Sequence, residues 1–95
     1  MKVSVVIPLL NEQDNLRPLH ERLVKTLDAL GAERQIIFVD DGSTDASVSV
    51  IEELAARDPN VTGIKLSRNF GHEPASTAGL DLCTGDVAVL MDADL

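Results

Sequence analysis

The sequence predicts an α/β fold in which helices cover both faces of a four-stranded parallel sheet, three layers in all. Three observations carry this. Short β-branched apolar runs recur at Val3 to Ile7, Ile36 to Val39, Val61 to Leu66 and Val87 to Met91. Segments with leucines or small apolar residues at helical spacing lie between them, and no two-residue hairpin signal joins any pair of runs. Strands separated by helices pair in parallel through crossover connections.

Val3-Ser4-Val5-Val6-Ile7 reads as a buried first strand that stops at Pro8. A loop from Pro8 to Asn11 follows. From Glu12 to Leu30, Leu16, Leu19, Leu23, Leu27 and Leu30 recur every three or four residues, and Gly31 supplies a stop. This predicts an amphipathic helix whose first turn is irregular, because Pro18 is tolerated only near a helix start. Gln35 to Asp40 predicts the second strand. Ser43 or Thr44 is placed to cap the next helix, with Val48, Ile51, Leu54 and Ala55 as its inner stripe. Asp58-Pro59-Asn60 breaks that helix, Val61 to Leu66 is a third strand, Glu73 to Cys83 a third helix ended by Thr84-Gly85, and Asp86 to Met91 a fourth strand.

A chain of 95 residues makes one such unit and removes only about two thirds of its unfolded surface from water. Sixteen acids against eight bases leave a net charge of −8. That excludes a nucleic-acid backbone as partner, which needs clustered Lys and Arg, and it means that a phosphate ligand needs a cation bridge. Cys83 is the single cysteine, so no internal disulfide forms, and its place in a helical apolar stretch suits a small packed residue. His20 falls on the exposed part of the first helix and reads as solvated. The first residues lack a signal-peptide pattern and no run reaches the roughly 20 apolar residues of a membrane span. The sequence therefore reads as cytoplasmic.

In an open parallel sheet, ligands bind beyond the carboxyl ends of the strands. Here the first strand runs into Pro8-Leu9-Leu10-Asn11-Glu12, the second into Asp40-Asp41-Gly42-Ser43-Thr44-Asp45, the third into Ser67-Arg68-Asn69-Phe70-Gly71-His72 and the fourth into Asp92-Ala93-Asp94. Every polar cluster falls on one rim. Side chains two apart on an extended chain point the same way, so Asp92 and Asp94 can face one ion, and two hard oxygen donors suit Mg²⁺ or Mn²⁺. The first loop contains no glycine, which excludes a G-x-G-x-x-G dinucleotide turn. Glu12 and Asp40 stand as acceptors for a base and ribose. For Glu12 a second reading is equally open, that of an acid complementing a helix dipole.

At these residues the sequence resembles family 2 glycosyltransferases, which have a GT-A fold, and within them the dolichyl- and undecaprenyl-phosphate sugar transferases. The pieces that match are Val5-Val6-Ile7-Pro8 with Asn11-Glu12, Val39 to Asp45, Ser67 to His72, Ala78-Gly79-Leu80, and Met91 to Leu95. They cover essentially the whole chain, in the family's order. The resemblance implies a strand order 3-2-1-4 and a nucleotide lying across the first two strand ends. Pro8, Leu10, Glu12, Val39 and Asp40 match base and ribose contacts, and Asp92 and Asp94 match the ribose, diphosphate and metal positions. His72 either approaches phosphate or caps the third helix.

The implied partners are a nucleotide diphosphate sugar, a divalent cation and a polyprenyl phosphate, with the longer protein at the cytoplasmic face of a membrane. Residues 1–95 would then be the nucleotide-sugar-binding half of a catalytic domain. Acceptor-side catalytic residues would lie beyond Leu95, and the fourth strand would keep an unpaired edge prone to association. Two alternatives from other classes are a nucleotide-binding fragment without catalysis and a receiver-like signalling module, which also carries an acidic pair after an apolar strand. In a receiver that pair follows the first strand. Here Asp40-Asp41 follows the second.

Overall fold

The computed structural model describes residues 1–67 and 72–94. The elements run β1 (Lys2–Leu9), α1 (Leu16–Ala29), β2 (Glu33–Asp40), α2 (Ser47–Arg57), β3 (Val61–Lys65), α3 (His72–Leu80) and β4 (Val87–Leu90). The strands form one sheet in the order β3-β2-β1-β4, and every pairing is parallel. Fold class, order and layering are those predicted.

Alternation along the central strands divides their side chains between two faces. Val3, Val5, Ile7 and Leu9 of β1 join Ile36 and Phe38 of β2 in a large core with Leu16, Leu19 and Leu27 of α1 and Val50, Ile51 and Leu54 of α2. On the other face Val6, Ile37 and Val39 pack under Ala75 of α3, with Ala78 and Cys83 at the margin. Because both faces of β1 and β2 are covered, these strands read as unbroken apolar runs. Gly79 sets how close α3 comes: a methyl there would overlap Val6 Cγ1 and press on Val39 Cγ2 at 3.0 Å.

Several boundaries differ from the expectation. β1 continues through Pro8 to Leu9. Lys2 and Val6 carbonyls accept from the N–H groups of Asp86 and Met91, so even-numbered residues of β1 turn toward β4. The β1–β4 pairing ends at Val6 and Leu90, and the donor that Pro8 lacks falls beyond it. Helix α1 starts at Leu16 rather than Glu12, which puts Pro18 in its first turn. A separate turn precedes it, closed by the Asn15 N–H on the Glu12 carbonyl at 3.0 Å. At its end Gly31 adopts φ +67°, with Gly31 N–H bonded to Asp28 O and Ala32 N–H to Leu27 O. That is a Schellman closure, and it leaves Leu30 72% exposed, outside the inner stripe.

Neither Ser43 nor Thr44 caps α2. The Asp45 carboxylate accepts the Ser47 N–H at 2.9 Å, and Gln13 Oε1 accepts the Ala46 N–H at 2.7 Å. In α2, Ser47 and Val50 are buried beside Ile51 and Leu54, while Val48 and Ala55 are half-buried. Helix α3 ends at Leu80, so Cys83 lies outside it, half-buried, with its sulfur 3.7 Å from the Gly79 carbonyl oxygen. β4 forms a sheet edge, and Val87, Val89 and Leu90 are each 40–46% exposed. The amino ends of β1 and β2 are tied to the turn before β4 by polar contacts. The buried Ser4 hydroxyl donates to Gln35 Oε1 at 2.6 Å and accepts the Gly85 N–H at 2.8 Å. Gln35 also accepts the Thr84 N–H and donates to the Leu82 carbonyl.

His20 is not solvated. Its Nε2 lies 2.9 Å from Asp58 Oδ2, with side-chain exposures of 18% and 7%. Arg34 reaches the same oxygen at 3.4 Å, and Asp58 Oδ1 accepts the Asn60 N–H at 2.9 Å. Burial by itself would raise the Asp58 pKa. The His20 hydrogen bond, the Asn60 N–H and the Arg34 charge together outweigh it and hold the carboxyl below its ordinary value.

Candidate functional site

The carboxyl ends of the strands come to one level. Leu9, Asp40 and Lys65 are register partners across β1, β2 and β3. β4 pairs with β1 as far as Val6 and Leu90, and Ala93, three residues further on, is buried with Leu9 in the large core. Asp40 therefore leaves the sheet at the same end as the Asp92-Ala93-Asp94 segment. The strand spacing of about 4.8 Å puts β2 and β4 roughly 10 Å apart across β1.

Asp40 is 1% exposed. Its Oδ2 accepts two N–H groups of the loop that follows, from Gly42 at 3.3 Å and Ser43 at 3.0 Å, a turn that Gly42 permits with φ +92°. Its Oδ1 is buried with no hydrogen-bond partner among the described residues. Leaving a buried carboxylate oxygen unpaired is costly, and such an atom calls for a ligand donor or water. Asp40 also lines a recess of about 180 Å³ with Ile51, Ala55, Gly63, Ile64 and Lys65.

The first two loops of the rim are fastened to each other. Asn11, at φ +55°, accepts the Thr44 N–H on its side-chain oxygen at 2.8 Å and the Asp45 N–H at 3.3 Å. Its own N–H donates to Ser43 Oγ at 2.8 Å. Glu12 N–H donates to Ser47 Oγ at 3.0 Å, and Gln13 N–H to Asp45 Oδ2 at 3.3 Å. The Asp45 carboxyl is held below its ordinary pKa chiefly by the Ser47 side-chain hydrogen bond, with burial opposing and the backbone donors of Ser47 and Gln13 assisting. This latch is not marked by any of the motifs in the sequence. Its signal was a run of small side chains, Asp-Gly-Ser-Thr-Asp, that hydrogen-bond backbone readily, opposite an Asn able to adopt a left-handed conformation.

Each predicted site residue has a definite place. Pro8 is buried, Leu10 is 41% exposed at the rim, and Val39 is fully buried, its side chain spent on the smaller core. Glu12 is half-buried, and its Oε2 accepts from Asn15 Nδ2 at 2.7 Å. Asp92 and Asp94 are exposed on either side of the buried Ala93, where the chain bends after the end of β4. Among the described residues no three His, Cys, Asp or Glu side chains gather into a metal cage. Arg68, Asn69, Phe70, Gly71, the His72 side chain and Leu95 lie outside the described residues.

The family model described as Glycosyl transferase family 2 matches residues 4–95. The chain belongs to this family. It is 44% identical over its whole length to a prophage bactoprenol glucosyl transferase homolog of Escherichia coli, covering 31% of that protein. To an undecaprenyl-phosphate 4-deoxy-4-formamido-L-arabinose transferase of Pseudomonas fluorescens it is 46% identical, over 98% of this chain and 28% of the relative. The chain thus spans about a third of the length of these relatives. Among solved structures, a mannosyltransferase from Pyrobaculum calidifontis in complex with GDP-Man and Mn²⁺ superposes with a TM-score of 0.82 at 25% identity, over 97% of this chain and 27% of that one. TarS from S. aureus in complex with UDP does so at 0.82 and 26%, over 99% and 28%. No helix among the described residues is long and apolar enough to cross a membrane.

Proposed function

We propose that this chain is the donor-binding half of a transferase that moves a sugar, with inversion, from a nucleotide diphosphate sugar to a polyprenyl phosphate. The observation that carries the donor reading is Asp40 Oδ1, a buried acceptor without a described partner at the carboxyl rim of the sheet. A nucleoside supplies the N–H or O–H donor this atom lacks. Pro8, Leu10, Glu12 and Val39 border the same rim, Glu12 as a further acceptor and Val39 through its backbone.

Asp92 and Asp94 are the residues that would hold Mg²⁺ or Mn²⁺. Their fit rests on chemistry: two exposed carboxylates flank a buried alanine, a hard-oxygen pair that leaves remaining positions to water and phosphate. Bound there, the cation supplies the positive charge that a diphosphate needs beside an acidic rim. The polyprenyl phosphate assignment is supported by the names of the relatives above. Such an acceptor is already anionic at its attacking oxygen, so it requires positioning more than a strong base.

Calorimetric titration with UDP and GDP, with and without Mn²⁺, tests donor binding. Binding of at least one nucleotide, enhanced by Mn²⁺ and weakened tenfold or more by Asp40→Asn, is the expected result; ten-fold corresponds to about 1.4 kcal/mol. If neither nucleotide binds at millimolar concentration with Mn²⁺ present, the proposal fails.

A further inference from the structure

Asp40 can present Oδ1 to a ligand only while Oδ2 stays bound to the loop, and the loop is held from outside. Ser43 is the link. Its N–H donates to Asp40 Oδ2 at 3.0 Å, and its Oγ accepts the Asn11 N–H at 2.8 Å. Asn11 then takes the next two N–H groups of the loop, those of Thr44 and Asp45, on its side-chain oxygen. A residue of the β1 loop therefore fixes three consecutive positions of the β2 loop, 43 to 45, immediately after the turn that orients the carboxylate. Asn11 does this from a left-handed conformation, φ +55°, which Asn tolerates better than most residues. It is itself exposed, so its position is not dictated by burial in either core.

We infer that Asn11 is a positioning residue for nucleotide binding, holding residues 43 to 45 through its backbone N–H on Ser43 Oγ and its side-chain oxygen on the Thr44 and Asp45 N–H groups, so that Asp40 stays turned with one oxygen spent on the loop and the other free for the ligand. The inference rests on the donor-binding reading above, but concerns a residue that this reading does not use. Without the latch, the 41–47 loop keeps its sequence and Asp40 its place in β2. The carboxylate then gains rotational freedom, and binding weakens because the ligand must order it.

The test uses Asn11→Gly, which keeps the left-handed backbone accessible and removes only the side-chain acceptor, and Ser43→Ala with Ser43→Thr as the conservative counterpart. All are compared at a temperature where circular dichroism shows every variant folded, so that lost stability alone does not register. In Asn11→Gly the Ser43 amide should exchange hydrogen at least tenfold faster than in the wild type, without any nucleotide. With Mn²⁺ present, Asn11→Gly and Ser43→Ala should each bind UDP or GDP about tenfold more weakly, and Ser43→Thr should return to within about threefold of the wild type. Unchanged Ser43 exchange in Asn11→Gly overturns the proposal, as does wild-type affinity in Asn11→Gly when Asp40→Asn has lost binding. Absence of nucleotide binding by the wild type would instead overturn the donor-binding reading, and this inference with it.

Discussion

The side-chain oxygen of Asn11 accepts the backbone N–H of Thr44 at 2.8 Å, across 33 positions of sequence. Together with the Asn11 N–H on Ser43 Oγ, it turns two separate strand-end loops into one ledge. Because Asn11 sits at φ +55°, substitution by Ala adds a backbone cost of about 1–2 kcal/mol for the left-handed conformation to the loss of the acceptor. Asn11→Ala should therefore be less stable than Asn11→Gly by about that amount in urea unfolding. Equal stabilities would mean that the loop relaxes out of the left-handed region at no cost.

Gly79 presses α3 against Val6 and Val39. A methyl group there has no room, so Gly79→Ala should destabilise by about 1–3 kcal/mol through overpacking, despite the better helix propensity of alanine. A urea midpoint at or above that of the wild type would show that α3 can lift off the sheet freely.

The buried Asp58 carboxylate, paired with His20 and Arg34, has a pKa below its ordinary value. Its unfolded counterpart titrates near 3.9. A group with a depressed folded pKa contributes stability that is complete above the unfolded value and lost as pH falls through the folded one. The prediction is a stability loss below about pH 5 whose steepness falls in Asp58→Asn. At neutral pH, Asp58→Ala should cost about 1–3 kcal/mol by stranding its buried donors. Wild-type and Asp58→Asn denaturation curves of identical pH dependence would refute the assignment.

Gln35 joins the start of β2 to the turn before β4 through Ser4, Thr84 and Leu82. Since β4 is an edge strand with exposed side chains, it has little apolar burial to hold it otherwise. Gln35→Ala should raise amide exchange in Val87–Leu90 several-fold while β2 and β3 stay protected. Uniform acceleration over the whole sheet would mean global rather than local loosening.

Asp92 and Asp94 flank the buried Ala93 at the end of the sheet where Asp40 also emerges. If they hold the cation, the double variant Asp92→Asn, Asp94→Asn should bind nucleotide in Mn²⁺ no better than the wild type does in excess chelator. A persisting Mn²⁺ enhancement in that variant would move the cation elsewhere.

Much of this molecule is legible in its sequence alone. Alternation and β-branched runs marked the strands because central parallel strands must bury both faces, and the polar clusters after them were readable as one rim because every strand points the same way. Boundaries were less legible where a local signal was overridden. Pro8 looked like a strand end, yet its missing donor faces past the end of β4. Ser43 and Thr44 looked like helix caps, but Asn11 engages them across the rim. His20 looked solvated, because nothing in its helix shows that Asp58, 38 positions away, closes over it.

The sequence by itself determined the α/β class, the identity of the strands and which carboxylates sit at their ends, since these follow from local periodicity and from the direction a parallel strand must run. Only the tertiary structure decided that Asp40 has one oxygen bonded to its loop and the other buried without a partner among the described residues, that Asn11 rather than a helix cap holds the second loop, and that Asp58 lies buried beside two bases. Hydrogen bonds between distant residues depend on distances and directions that exist only after the sheet has brought separate loops together, and no spacing along the chain encodes them.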